Sequence, residues 1–393
     1  MSQKQSFCVM QVLPTLESGG VETGTIDIAK ALLQKGHRAI VVSAGGQMVS
    51  QLDDIGASHI KLPVQSKNPW IIWRNAQILK ELIQTENIDI VHARSRAPAW
   101  SCYWATKNNH TPYITTFHGA YGHQNRLKRW YNSAMLRSNI TIAVSNFIAS
   151  HIQAVYADFQ KHVQVILRGI DTHQFNPDKT QTATVEQLKK RWKIPTEHIV
   201  MMLPGRLTRL KGHAVFIEAA AKLEQQNITY LIVGDEAGKE SYKAELQKLT
   251  QTLQLSDQIR FIGACSDMPS AYQVADIVVS ASTKPEAFGR IACEAQAMSC
   301  LVIASNHGGS QETIAPCQQA FMCQPGSIES MAKAMKTALS TTPEQANNIF
   351  RESRSYIYEN FSLDKMAADT LSLYALQLKC PPPTRQGSPN AEH

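Results

Sequence analysis

The segment Pro285-Glu286-Ala287-Phe288-Gly289-Arg290, with Glu294 after it, sets two carboxylates eight residues apart with a glycine between them. A helix starting near Gly289 leaves Glu286 in the preceding loop and carries Glu294 about one and a half turns in. The N–H groups of Phe288, Gly289 and Arg290 then open that helix as donors aimed at whatever lies in front. This is a cradle for an anion, with a carboxylate at each end to grip hydroxyl groups. A ligand that is both anionic and rich in hydroxyls suggests a sugar nucleotide.

A second group supplies positive charge. Gly205-Arg206 follows an apolar run, and Lys211-Gly212 lies one short loop later. Two cations so placed neutralise a departing diphosphate, and preorganised charge on a leaving group is usually the largest catalytic contribution. The alternative is a pair of solvated charges at a helix start, where cations are disfavoured unless an anion sits there. His118 ends the run Thr115-Thr116-Phe117 and precedes Gly119; the alternative for it is a structural histidine bonding a neighbouring loop. Gly19 and Gly20 let backbone approach a ligand and open a helix. They are not a dinucleotide fingerprint, because G-x-G-x-x-G is absent and no acidic residue ends the next strand at Val41-Val42-Ser43. No D-x-D occurs in the chain. Arg206 and Lys211 do the work of a metal on a diphosphate, so neither a metal nor another cofactor is expected.

The elements that must position these groups alternate. Short apolar runs at 7–13, 39–43, 59–62, 88–92, 113–117, 140–144 and 163–167 read as strands, separated by helical segments. The scheme repeats with strands at 199–203, 229–233, 259–262, 277–280 and 301–304, and helices near 211–225, 239–254, 268–274, 289–299 and 327–340. Such alternation implies parallel sheets covered on both faces. The predicted architecture is α/β, with two doubly wound domains facing across a cleft. The domains run over 1–170 and 199–342, joined by a polar linker and hinge at 171–198. Helices at 343–378 follow, then a disordered tail at 379–393 that holds three consecutive prolines. Ligands in such folds sit beyond the C-terminal ends of strands. Most of the Gly and polar residues singled out above fall there, as do Arg94, Ser95 and Arg96, whose cations suit the phosphates of an acceptor.

With 393 residues, 43% hydrophobic and 18% charged, the chain has the composition of a soluble globular protein. No apolar run approaches the roughly 20 residues needed to span a bilayer, and the first residues lack a secretory pattern, so a cytoplasmic location is expected. The eight cysteines show no C-x-x-C pair and no zinc spacing. The net charge of +7 is uneven: residues 1–170 carry 17 Lys and Arg against 9 Asp and Glu, and the rest carries 22 against 23. The first half is therefore expected to meet something anionic. Arg126, Lys128, Arg129 and Trp130 mix cations with an aromatic, as do Lys67, Trp70, Trp73 and Arg74. On helices they would contact anionic lipid at the inner face of the membrane; the alternative is a solvated face over buried aromatics.

Taken in order, these motifs resemble glycosyltransferase family 4, retaining enzymes of the GT-B fold. The resemblance covers roughly 7–375 and rests on Gly19-Gly20-Val21-Glu22, Phe117-His118-Gly119, Gly205-Arg206 with Lys211-Gly212, and the E-x7-E of Glu286 and Glu294. The segment His92–Pro98 resembles a bacterial subgroup concerned with surface polysaccharide. The resemblance implies that Glu294 binds the ribose of a UDP- or GDP-sugar and that Glu286 grips the transferred hexose. It places His118 near the anomeric carbon, and Gly19, Gly20, Gly205, Gly234, Ile262, Ala287, Phe288, Gly289 and Arg290 around the donor. It also implies a glycan or lipid-linked acceptor, as in lipopolysaccharide synthesis, and same-face attack in which the leaving phosphate oxygen takes the acceptor proton. A sugar-nucleotide epimerase of the same shape leaves Glu286, Arg206 and Lys211 without a role. A non-catalytic nucleotide-sugar-binding protein remains the alternative of another class. Nucleic acid is not expected as a partner, because the basic residues are dispersed rather than gathered with stacking aromatics.

Overall fold

The computed structural model describes residues 6–17, 19–122, 125–157 and 162–379. Among them, two sheets form, and every paired strand is parallel. The chain divides into a first unit, residues 1–167 with 366–393, and a second, Arg168–Lys365.

The first unit holds β1 (Cys8–Val12), β2 (Arg38–Ser43), β3 (Ser58–Lys61), β4 (Ile90–Ala93), β5 (Tyr113–Phe117), β6 (Ile140–Ala143) and β7 (Val163–Val165). They lie in the order β3-β2-β1-β4-β5-β6-β7. The second unit holds β8 (Ile199–Pro204), β9 (Ile228–Val233), β10 (Ile259–Gly263), β11 (Ile277–Ser280), β12 (Leu301–Ser305) and β13 (Met322–Cys323), in the order β10-β9-β8-β11-β12-β13. Central strands such as β1 and β9 are buried along their whole length. That burial is why they read as mainly apolar runs rather than alternating ones, with only Gln11 and Thr229 polar. Both sheets reverse their winding beside their first strand, between β1 and β4 and between β8 and β11. In doubly wound sheets this reversal opens a crevice at the strands' C-terminal ends. Both units are therefore Rossmann-like, as the alternation of elements predicts.

Residues 171–198 are not a bare linker. They carry the 3-10 turn Pro177–Lys179 and the helix Thr182–Arg191 and fall inside the second unit. No residue of that helix is fully buried, so no apolar stripe announces it. The helix Pro343–Asn360 starts with a capping box between Thr342 and Gln345 and packs on the helix Arg290–Ala297 of the second unit. The last helix, Leu363–Lys379, belongs from Met366 onward to the first unit. Its Tyr374 hydroxyl meets buried His92 Nδ1 at 2.6 Å, while His92 Nε2 meets Thr116 Oγ1 at 2.7 Å. The tail after Lys379 lies outside the described residues.

Candidate active site

In the second unit the chain leaves β8 into Gly205-Arg206, passes the 3-10 turn Arg209–Lys211, and starts the helix His213–Ala220. It leaves β11 into Ala281–Gly289 and starts the helix Arg290–Ala297. Both exits flank the sheet's point of reversal. They converge through Lys211, whose Nζ meets Glu286 Oε1 at 2.6 Å. Ser282 Oγ donates to the same carboxylate oxygen. The side chains of Lys211 and Glu286 keep 26% and 21% exposure, so the pair is accessible to a ligand. Burial alone would push the Glu286 carboxyl up. The Lys211 ammonium, its hydrogen bond, the Ser282 hydroxyl and the nearby His307 outweigh that and hold it below the usual carboxylate range.

Gly289 caps the helix Arg290–Ala297 with φ 94°, and a Cβ there would come within 2.8 Å of Thr313 Oγ1. Only glycine fits this turn, and the turn lets the chain pass from the Glu286 loop into the helix. Glu294, 6% exposed, accepts from the Tyr272 hydroxyl at 2.8 Å and from Arg290 Nε at 2.5 Å. A buried carboxylate requires such partners. Phe288 is buried and Ala287 half-buried beside this turn.

A cavity of about 270 Å³ opens at Glu294, lined by Gly205, Arg206, Gly234, Asp235, Cys265, Tyr272 and Ile291 among others, and the Lys211 stem passes beside its Gly205. At Gly234 a Cβ would overlap the Gly205 carbonyl oxygen. Glycine is what lets the exits of β8 and β9 close on each other and form the cavity floor. Arg206 is exposed at its rim. Ile262 lies in β10 and lines a neighbouring groove that shares Ala264 and Cys265 with this cavity. Gly205, Arg206, Lys211, Gly234 and the segment 286–294 are thus gathered in one unit. Tyr272, which orients Glu294, carries no sequence signal: it is one apolar position of the helix Met268–Val274. Among the described residues, no three His, Cys, Asp or Glu side chains converge as metal ligands.

His213 opens the helix after Gly212 and is fully buried. Burial pushes its pKa down to about 4; the Thr208 backbone opposes this and Lys211 adds to it. The folded value lies below the unfolded one, so the unfolded chain takes up the proton first as pH falls. The expected result is stability that is full above pH 6.5 and falls between pH 6.5 and 4, by up to about 3 kcal/mol from this residue. Urea unfolding across that range checks it: His213→Leu flattens the slope if His213 is its source.

The remaining predicted residues lie in the first unit. Gly19 and Gly20 open the helix Gly20–Gln34 after β1. Half-buried His118 follows β5, with the Tyr121 hydroxyl against its backbone and the Tyr121 ring 4.5 Å from Phe117. The grouping of Arg94, Ser95 and Arg96 at an acceptor's phosphates needs correcting. Arg94 is only 4% exposed, and its guanidinium interacts with Tyr374 and Asp27. The last helix covers the exit of β4, so a cation expected at the surface is enclosed. Ser95 and Arg96 remain half-buried, with Arg96 4.1 Å over the Tyr121 ring and donating to Asn132 at 3.1 Å. Arg126, Lys128, Arg129 and Trp130 lie exposed on the helix Arg126–Asn132.

Two doubly wound units, one with Arg206 and Glu294 in a cavity at its winding reversal and a Lys211–Glu286 pair on the same strand exits, match the architecture of GT-B glycosyltransferases. Comparison with known proteins agrees. The family model described as Glycosyltransferase Family 4 matches residues 18–174, and Glycosyl transferases group 1 matches 184–356. A crystal structure of a glycosyltransferase from Rickettsia africae is 38% identical with a TM-score of 0.90, covering 95% of this chain and 99% of that one. N-acetyl-alpha-D-glucosaminyl L-malate synthase of Bacillus anthracis is 23% identical over 92% of this chain and 94% of its own. Anabaena Alr3699/HepE, solved in complex with UDP and glucose, is 22% identical with a TM-score of 0.79, covering 93% of this chain and 100% of that one. The chain belongs to the family-4-like GT-B glycosyltransferases.

Proposed function

We propose that the protein transfers a hexose from a UDP- or GDP-sugar to a glycan or lipid-linked acceptor, with retention and without a metal. The observation that carries this reading is the second unit's pocket. Buried, oriented Glu294 lines it to take ribose hydroxyls, and the Lys211–Glu286 pair, reached past Gly205 of the same lining, is offered to phosphate and hexose. The bound UDP of the Anabaena protein supports a nucleotide donor. In the proposed step the bond from the anomeric carbon to phosphate oxygen breaks. The acceptor oxygen bonds that carbon on the same face, and the acceptor proton passes to the departing phosphate oxygen. The products are the glycoside and the nucleoside diphosphate. Arg206 and Lys211 stabilise the charge on the leaving group, Glu286 fixes the sugar, and His118 attends the anomeric carbon. NMR of the purified protein with UDP-glucose, UDP-galactose, UDP-N-acetylglucosamine and GDP-mannose in excess EDTA tests it. The expected result is slow release of one sugar with the donor's anomeric configuration. Release with inversion, or only after a divalent cation is restored, contradicts the mechanism.

The acceptor side is proposed as lipid-linked, in lipopolysaccharide or a related glycoconjugate, at the inner face of the cytoplasmic membrane. Trp70, Trp73, Leu127 and Trp130 are 77%, 52%, 80% and 56% exposed, so these large apolar side chains are not buried beneath a solvated face. Trp130 stacks at 4.6 Å on Trp100, which links it to Trp104, and Arg126, Lys128 and Arg129 surround it. Exposed indoles among cations suit an anionic lipid interface. No helix among the described residues is long and apolar enough to cross a membrane. The protein is expected to float with anionic liposomes at low salt, and Trp70→Ser with Trp130→Ser to stay behind. No flotation of the wild type ends the membrane proposal. Ser95 and Arg96 are the proposed acceptor contacts.

A further inference from the structure

The loop after β12, Asn306-His307-Gly308-Gly309, is fastened to the Glu286 loop. Gly309 N–H donates to the Glu286 carbonyl at 2.8 Å, and a Cβ on Gly308 would come within 2.6 Å of that oxygen and 2.9 Å of Glu286 N. No side chain fits between the two loops. His307 directly precedes Gly308, at the edge of this loop contact, and lies close enough to the Glu286 carboxylate to influence it. Both its ring nitrogens are shielded from solvent, and neither has a hydrogen-bond partner among the described residues. An imidazole always carries at least one N–H, and in its neutral form an acceptor as well. Buried groups of this kind are paired in native proteins, with protein, water or ligand.

We propose that His307 is a donor-sugar contact: its imidazole hydrogen-bonds a hydroxyl of the transferred hexose next to the one that Glu286 grips. This rests on the donor-site reading above and adds a residue that sets which sugar is accepted. The chemistry favours a hydroxyl over a phosphate. A phosphate needs donors only, which Lys211 and Arg206 supply, whereas a hydroxyl both donates and accepts, as the neutral ring does. Glu286 accepts only. Together the two side chains read a pair of neighbouring hydroxyls, so their configuration becomes a selection point.

Calorimetry with UDP, GDP, UDP-glucose, UDP-galactose and GDP-mannose on wild type, His307→Ala and His307→Asn tests this. In His307→Ala the nucleotide affinity is expected to stay within about twofold, while affinity for the preferred nucleotide sugar falls about tenfold, the scale of one hydrogen bond. His307→Asn, which keeps a donor and an acceptor, recovers most of the loss. Unchanged nucleotide-sugar affinity in His307→Ala overturns the inference, since the ring then makes no contact with the sugar. Equal losses for nucleotide and nucleotide sugar also overturn it, because they show a structural role for the loop. If wild type binds nucleotide but gains nothing from the sugar, the inference fails while the nucleotide site stands. If wild type binds neither UDP nor GDP, the donor-site reading fails first and this inference with it.

Discussion

Replacing Lys211 with alanine lowers kcat by about 10²–10³ while the protein stays folded, the loss typical of one preorganised charge on a leaving group. The stem of Lys211 passes over Gly205, where a Cβ would meet its Cδ and Cε at 3.5 Å, and brings Nζ to Glu286. The ammonium is therefore fixed before substrate arrives, so little reorganisation is needed as charge develops on the departing phosphate. The substitution has a second consequence. Glu286 loses the charge that offsets its burial, so its carboxyl moves up. Glu286 is held ionised above its folded pKa in the wild type, and the acid limb of the rate profile should shift to higher pH in Lys211→Ala. Lys211→Arg keeps the charge and recovers part of the rate. A loss below threefold in Lys211→Ala removes the leaving-group role.

Glu294→Ala weakens nucleotide binding about 100-fold. Two ribose hydroxyls donating to a desolvated carboxylate are worth about 3 kcal/mol together, since bonds to charged groups contribute roughly 1.5–3 kcal/mol each. The variant also leaves the buried Tyr272 hydroxyl without its acceptor and removes one partner of Arg290. Some stability is lost with them, which denaturant unfolding separates from the binding effect. Tyr272→Phe leaves the Glu294 carboxyl in place but less well oriented, and should cost about tenfold. Undiminished nucleotide affinity in Glu294→Ala makes the carboxylate a structural group.

The sequence exposes what the physics makes local. A central strand buried on both faces is built mainly of apolar and β-branched residues, so β5 and β11 coincide with their runs at 113–117 and 277–280. Glu286, Gly289 and Glu294 lie within one turn and one helix, and their relation is legible from spacing alone. What was hidden depends on distant partners. The two-residue β13 has no run to read. Helix Thr182–Arg191 buries no residue fully and resembles a linker. Arg94 is enclosed because Tyr374, 280 positions later, returns to the first unit. Tyr272 meets Glu294 only through the packing of two helices, and His307 nears Glu286 only because two glycines let their loops touch.

The claim on which the rest depends is that the second unit's pocket holds a nucleoside diphosphate. Calorimetric titration of the wild-type protein with UDP and with GDP, in the presence of EDTA, tests it most directly. Saturable one-to-one binding of one of the two nucleotides, competed by its sugar conjugates, is the expected result. Absence of binding by both contradicts it and leaves the Glu286–Glu294 loop without a donor.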